Sequence, residues 1–171
     1  MKIWLTTDTH FGHEKMIKLC GRPRDFDGLI LKGLKEVPRD AILIHLGDFC
    51  IGSDELWHQA FMAATKQCKR RILVRGNHDH KSTSWYLDHG WDWVCDRILL
   101  ECFGVNILFS HAPVVELQPL GIDLNIHGHL HNTGHHPDAN RIAMKSKLLA
   151  IENTDYKPVN LEKFISNSNQ K

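Results

Sequence analysis

No stretch of this chain approaches the run of about 18 apolar residues that a membrane-spanning helix needs, so none is expected. No two cysteines have CxxC spacing, and five cysteines is an odd number. That argues against a disulfide framework and against a thiolate zinc site. The chain also lacks a charge imbalance. Its formal net charge is +1 at pH 7, so no global field draws it to nucleic acid or to an acidic membrane surface. The opening MKIWLTTDTH holds one Lys and too short an apolar run for a secretory signal. No linker, internal repeat or low-complexity segment interrupts it. These absences point to one domain over residues 1–171, in a reducing cytoplasm, with no membrane partner.

What is present is a chain of 171 residues, 42% hydrophobic, large enough to bury a proper core. Its 13 histidines stand out and are scattered from His10 to His136. Some of them, such as His58, His80 and His89, read as surface positions.

The first half alternates strand and helix signals. Residues 3–7 read as a short buried strand, and 14–19 as a helical turn. Phe26, Leu29, Ile30, Leu34 and Val37 recur at helical spacing, which predicts a helix over 26–36. Residues 41–46 form the next strand. Ser53 can cap a helix to about residue 66, with Leu56, Trp57, Ala60, Phe61 and Ala64 inward. Residues 71–75 form a third strand, with Lys69, Arg70 and Arg71 read as a solvated helix end. Ser82 or Thr83 opens a short helix closed by Gly90.

The second half is mostly strand. Residues 97–103 and 105–110 predict a hairpin turning at Gly104. Residues 122–127 alternate like a half-exposed strand. Residues 142–144 and 148–151 are weaker strands, 161–165 a terminal helix, and 166–171 a frayed end. The five tryptophans (Trp4, Trp57, Trp85, Trp91, Trp93) read as core. Together these signals predict an α/β fold of two sheets with helices outside.

Five short segments carry the chemistry: Asp8-Thr9-His10, Gly47-Asp48, Gly76-Asn77-His78-Asp79, Ser110-His111 and Gly128-His129-Leu130-His131. Each follows a predicted strand, where a rigid sheet can aim donors from distant parts of the chain at one point. Any one of them alone is commonly a surface loop or a turn. Independent loops seldom collect seven oxygen and nitrogen donors at five successive strand ends. Asp8, His10, Asp48, Asn77, His111, His129 and His131 are therefore metal-ligand candidates, and carboxylate with imidazole suits divalent first-row metals. His78 can donate a proton near neutral pH. His13, Arg22 and Arg75 are candidate phosphate contacts, while His45 and His127 sit at strand ends beside ligands.

In this order the segments resemble the calcineurin-like metallophosphoesterase superfamily, over residues 8–131. TDTHFGHEKMIKLCGRP and ENTDYKPVNL resemble a small single-domain branch found in bacteria and phages. The resemblance implies a four-layer sandwich of two mixed β-sheets flanked by α-helices. It implies two divalent ions per chain, Mn favoured, with Fe, Zn or Ni as alternatives. Asp8, His10, Asp48 and His131 would hold one ion. Asp48, Asn77, His111 and His129 would hold the other, with Asp48 shared. His78 would protonate the leaving oxygen after attack by a metal-bridging hydroxide.

The family's protein phosphatases carry Asp and Arg where this chain has Ile51 and Gly52. The Arg that grips a monoester is missing, and Asp79 is the candidate to orient His78. That leans towards a phosphodiesterase acting on a small or nucleotide-like diester. The alternatives are a phosphomonoesterase on a small metabolite or nucleotide, a nuclease disfavoured by the weak charge, a metal hydrolase acting on a non-phosphate bond, and a non-catalytic metal-binding scaffold. Oligomeric state stays open. Substrate choice is assigned to the loops 11–25, 80–97, 112–121 and 132–140.

Overall fold

Continuous apolar runs in short strands need cover on both faces, and here two sheets and a helical layer supply it. The structure, a computed structural model, describes residues 2–115, 117, 121–133 and 145–166. The chain runs β1 (Ile3–Thr6), α1 (Lys15–Leu19), α2 (Phe26–Leu34), β2 (Ile42–His45), α3 (Asp54–Ala64), β3 (Arg70–Val74), α4 (Thr83–Asp88) and β4 (Trp93–Cys95). It continues through β5 (Arg97–Cys102), β6 (Val105–Ser110), β7 (Leu124–His127), β8 (Ser146–Leu148), a 3-10 turn (Ile151–Thr154), β9 (Val159–Asn160) and α5 (Leu161–Ser166).

The first sheet has the order β4-β3-β2-β1-β9, parallel except for β9. The second has the order β5-β6-β7-β8, with β5 antiparallel to β6 and the rest parallel. The expected two mixed sheets with flanking helices are present. Leu5, Ile44, Val74, Ile107, Phe109 and Ile126 pack between the sheets. Leu43 and Leu73, one residue out of phase, face the helical layer with Phe26, Ile30, Leu34, Phe61 and Tyr86. On the far face of the second sheet, Leu108 packs with Val114, Leu117 and Ile122. Among the described residues no helix is long and apolar enough to cross a membrane.

Several expectations change. Ser53 sits at φ 50° and makes no side-chain cap of α3. The α3 face is rotated from the expected one: Leu56 is 60% exposed, while His58 is 1% exposed. Burial pushes the His58 pKa down to about 4, so the ring is neutral. Its Nδ1–H donates to the Asp54 carbonyl at 2.8 Å, and it packs 4.1 Å from the Phe49 ring. A neutral, hydrogen-bonded imidazole is a tolerable core group. Arg70 and Arg71 open β3 and pair with Asp92 rather than ending a helix. Trp93 is 49% exposed, whereas Trp91 is buried.

The strand at 122–127 is not half exposed. Asn125 and His127 are fully buried. Asn125 accepts from the Val114 amide and donates to the Leu108 carbonyl and the Ser110 hydroxyl, which replaces its water. Residues 149–151 leave β8 for the 3-10 turn. The short strands β4 and β9 were not expected. The predicted strand at 142–144 lies outside the described residues, as do 116, 118–120, 134–140 and 167–171 of the loop and terminal assignments.

The rotated α3 face gives a direct test. Phe61→Ala removes a fully buried ring, for an expected loss of about 3–5 kcal/mol in urea unfolding. Leu56→Ala should stay within about 0.5 kcal/mol of the parent.

Candidate metal centre

Within each sheet the strands that precede candidate ligands run parallel to one another, so their loops leave the same edge. The Asp8 and His10 loop follows β1, Asp48 follows β2, and Asn77 and His78 follow β3. From the second sheet, His111 follows β6, and His129 and His131 follow β7. Backbone bonds lace these loops together. The amides of Asp8, His10 and Phe11 donate to the carbonyls of Gly47, Asp48 and Phe49, and the Gly128 amide donates to His111.

The loops turn sharply to present their side chains. Among the described residues, five of the ten non-glycine positions with positive φ are Asp8, His10, Asp48, His129 and His131. Asp and His tolerate this left-handed region better than most residues. Two glycines permit the close approach. A Cβ on Gly76 would collide with the Asp48 carboxylate, and one on Gly128 with the Asp8 carboxylate.

Besides a grouping of Cys20, His131 and Glu152, two donor clusters result. Asp8, His10 and His131 offer ligand atoms within 4.8 Å of one another, and so do Asp48, His111 and His129. Asp48 spans both. Its Oδ1 accepts from the His78 amide at 2.9 Å. Its Oδ2 lies 3.3 Å from His111 Nε2 and 3.5 Å from His10 Nε2. Ligand bonds of about 2.0–2.2 Å place two donors of one ion about 3.0–3.5 Å apart, so these spacings fit.

The second cluster carries a further sign of a cation. His111 Nε2 faces Asn77 Oδ1 at 3.0 Å, His129 Nδ1 at 3.1 Å and Asp48 Oδ2 at 3.3 Å. His111 Nδ1–H donates to the Leu46 carbonyl at 2.8 Å, since a carbonyl only accepts. One proton on Nε2 cannot serve three acceptors, and a divalent ion can. The donor set therefore fits metal.

Electrostatics agree. Burial pushes the His10 pKa down to about 2 against the pull of Asp48, leaving a neutral donor. Burial opposes charge on His111 and His131 as well. Asp48 and Asp8 outweigh it at His111, raising its pKa to about 9. Cys20, Glu152 and Asp8 outweigh it at His131, raising its pKa to about 10. Burial would raise the Asp48 carboxyl, but His111, His10 and the His78 amide hold it well below the usual carboxylate range. The centre draws positive charge.

His10, His131, His129, Asn77, His78 and Asp48 line one wall of a cavity of about 440 Å³. Met16, Leu19 and Cys20 from α1 and its end, with His13 and Thr133, form the rest. The His78 side chain is 40% exposed and its Nε2 is 4.0 Å from Asp48 Oδ2. The His13 ring lies 5.5 Å from His10 and 6.4 Å from His78.

Three residues given roles from the sequence make other contacts in the structure. Arg22 is 2% exposed and cannot reach a phosphate in the cavity. Its donors go to Glu152 and to the carbonyls of Asp8 and Thr9. Arg75 pairs with Asp96 at 3.1 Å. Asp79 does not serve the His78 ring. Its oxygens accept from the amides of Gly76, Asp48 and Phe49 at 2.8–3.0 Å, tying the β3 loop to the β2 loop.

Other supporting residues were missed. Glu152 sits against His131 Nδ1 at 3.0 Å, and in the sequence only the resemblance of the ENTD stretch marks it. His45 was noted beside ligands, and its role is now specific. It accepts from the Gly47 amide through Nδ1, so Nε2–H donates to Thr9 Oγ1 at 3.0 Å, while Thr9 donates to the Phe49 carbonyl.

Because His111 and His131 hold protons up to about 9 and 10, a metal must displace them. Proton competition is strongest below those values and fades above them. Metal binding at about pH 7.5 should therefore release protons, and apparent affinity should rise with pH towards 10. Calorimetry in buffers of different ionisation heat measures the release; a buffer-independent heat would contradict it.

A family model described as calcineurin-like phosphoesterase matches residues 1–116. The structure of AQ665 from Aquifex aeolicus, a protein of unknown function, is similar. It shares 30% identity, with 98% of each chain covered, at a TM-score of 0.76. The uncharacterized protein MJ1445 of Methanocaldococcus jannaschii is 26% identical over 171 residues, spanning 96% of this chain and 89% of that protein.

Proposed function

We propose that this chain, which belongs to the calcineurin-like phosphoesterase family, is a dinuclear-metal-dependent phosphodiesterase acting on a small or nucleotide-like diester. The carrying observation is Asp48 Oδ2, placed 3.3 Å and 3.5 Å from a histidine of each cluster. That arrangement supports one carboxylate serving two ions. Asp8, His10 and His131 would hold one, and Asn77, His111 and His129 the other. Mixed nitrogen and oxygen donors favour Mn²⁺, with Fe, Zn²⁺ or Ni²⁺ as alternatives. Two such ions supply neutralisation of phosphoryl charge and activation of water.

The chain's own residues supply the rest. His78 stands at the cavity rim with its amide fixed on Asp48. In this reading it gives a proton to the departing ester oxygen. His13, whose ring lies 6.4 Å from that of His78, would touch a phosphoryl or ester oxygen. Met16, Leu19 and Cys20 give the neutral part of a substrate an apolar wall.

The preference for a diester rests on charge. Among the described residues no Lys or Arg lines the cavity. Arg22 is buried against Glu152, and Arg75 pairs with Asp96 at the surface. Among the described residues a monoester dianion would find no Lys or Arg there, and a diester monoanion needs less. With Mn²⁺, kcat/KM for bis-p-nitrophenyl phosphate should exceed that for p-nitrophenyl phosphate. The reverse order, by about tenfold or more, would establish a monoesterase.

The role of His78 has its own test. A nitrophenolate leaves without a proton, whereas a sugar alkoxide does not. His78→Asn should keep both metals and most activity on nitrophenyl diesters. It should lose about 10²–10⁴-fold on a diester with an alkyl leaving group. Equal losses on both substrates with metals retained would assign His78 to positioning the phosphoryl group instead.

A further inference from the structure

Glu152 lies in the 3-10 turn near the end of the described chain, and its side chain is 2% exposed. One oxygen, Oε1, accepts three bonds: from Arg22 Nε at 2.9 Å, from Arg22 Nη2 at 2.6 Å and from His131 Nδ1 at 3.0 Å. The remaining Arg22 bonds run to the Thr9 carbonyl at 2.8 Å and the Asp8 carbonyl at 2.7 Å. One buried ion pair thus grips both the loop that carries Asp8 and His10 and the ring of His131.

The chemistry follows from what each atom can do. A carboxylate only accepts, so His131 Nδ1 keeps its proton and Nε2 is the nitrogen that a cation would take. His131 Nε2 is 3.8 Å from Asp8 Oδ1. The second cluster is backed differently. His111 Nδ1 meets the Leu46 carbonyl, a neutral acceptor. A carboxylate makes an imidazole a stronger donor than a carbonyl does. Arg22 offsets the charge of Glu152, but its outer bonds are spent on carbonyls, so the negative end of the pair faces His131. Removing the carboxylate would also leave a buried guanidinium beside the Asp8 and His10 loop.

We infer that Glu152 is a positioning residue that makes the two metal sites unequal, with the Asp8–His10–His131 site the tighter. This rests on the dinuclear reading of the centre, and it is tested without substrate.

Mn²⁺ is titrated calorimetrically into the metal-free protein. The parent should show two binding steps of different affinity. Glu152→Gln keeps the shape and an acceptor oxygen, and should weaken the tighter step by about 10–100-fold while leaving the other within about threefold. Asn77→Ala should instead weaken the looser step. Two equal steps in the parent, an unchanged tight step in Glu152→Gln, or equal weakening of both steps would overturn the inference.

If Glu152→Gln does not fold without metal, the double variant Arg22→Met with Glu152→Gln replaces the ion pair with neutral groups. Its tight step should still be weaker than the parent's, and an unchanged tight step there would overturn the inference. Unequal binding of two ions without phosphoester hydrolysis would leave the inference standing and remove only the proposed activity.

Discussion

The second oxygen of Asp48 is the constraint around which the rest of the centre is arranged. It must face two histidines that come from different sheets, His10 from the first and His111 from the second. That requires the carboxylate to be held without using the oxygen it offers. The His78 amide takes the other oxygen. Gly47 turns the chain at φ 92°, Asp48 itself sits at φ 56°, and Gly76 leaves room for the carboxylate. Asp79 fixes the Asp48 amide from the opposite loop. Each of these features would be unexplained alone. Together they restrain one side chain in its direction and its register.

Holding ligands in the left-handed region costs about 1–3 kcal/mol per residue, and such strain persists only where the surroundings over-determine it. Here the compensating contacts are specific and buried. The Asp79 carboxylate accepts three amides, Arg22 donates to two carbonyls of the first ligand loop, and His45 with Thr9 ties β2 to that loop. Burial raises the Asp79 pKa, with the amides pulling against it. Arg22, which reads as a substrate contact in the sequence, is a brace for the first ligand loop, and the cavity lining includes histidines, Asn77, Asp48 and an apolar wall.

The ligand loops were legible in the sequence because each follows an apolar run, and a strand end fixes where the next side chains emerge. Asp8, Asp48 and His111 could be read as converging without any knowledge of the sheet order. The braces were not legible. Arg22 and Glu152 are 130 residues apart, and nothing in either neighbourhood marks them as partners. Asp79 adjoins His78, and adjacency in sequence proved a poor guide: its carboxylate reaches back to β2 instead. His58 was misplaced because polarity was read as exposure. Its Nδ1–H bond to Asp54 within the same helix is what makes burial tolerable.

The two sheets do not merely pack; they divide the candidate metal ligands between them. One cluster joins Asp8 and His10 of the first sheet to His131 of the second. The other joins Asp48 of the first to His111 and His129 of the second. Neither sheet alone carries a complete set. The apolar layer of Leu5, Ile44, Phe109 and Ile126 therefore has a second role besides stability, since it sets the distance between half-sites. The linkage also runs in reverse. A cation that binds only when both halves are in place stabilises the packed sandwich by mass action. It offsets the repulsion and desolvation that bringing buried carboxylates and histidines together entails. Sheet packing and metal affinity are in this way a single equilibrium, and the ligand loops are the place where it is read out as chemistry.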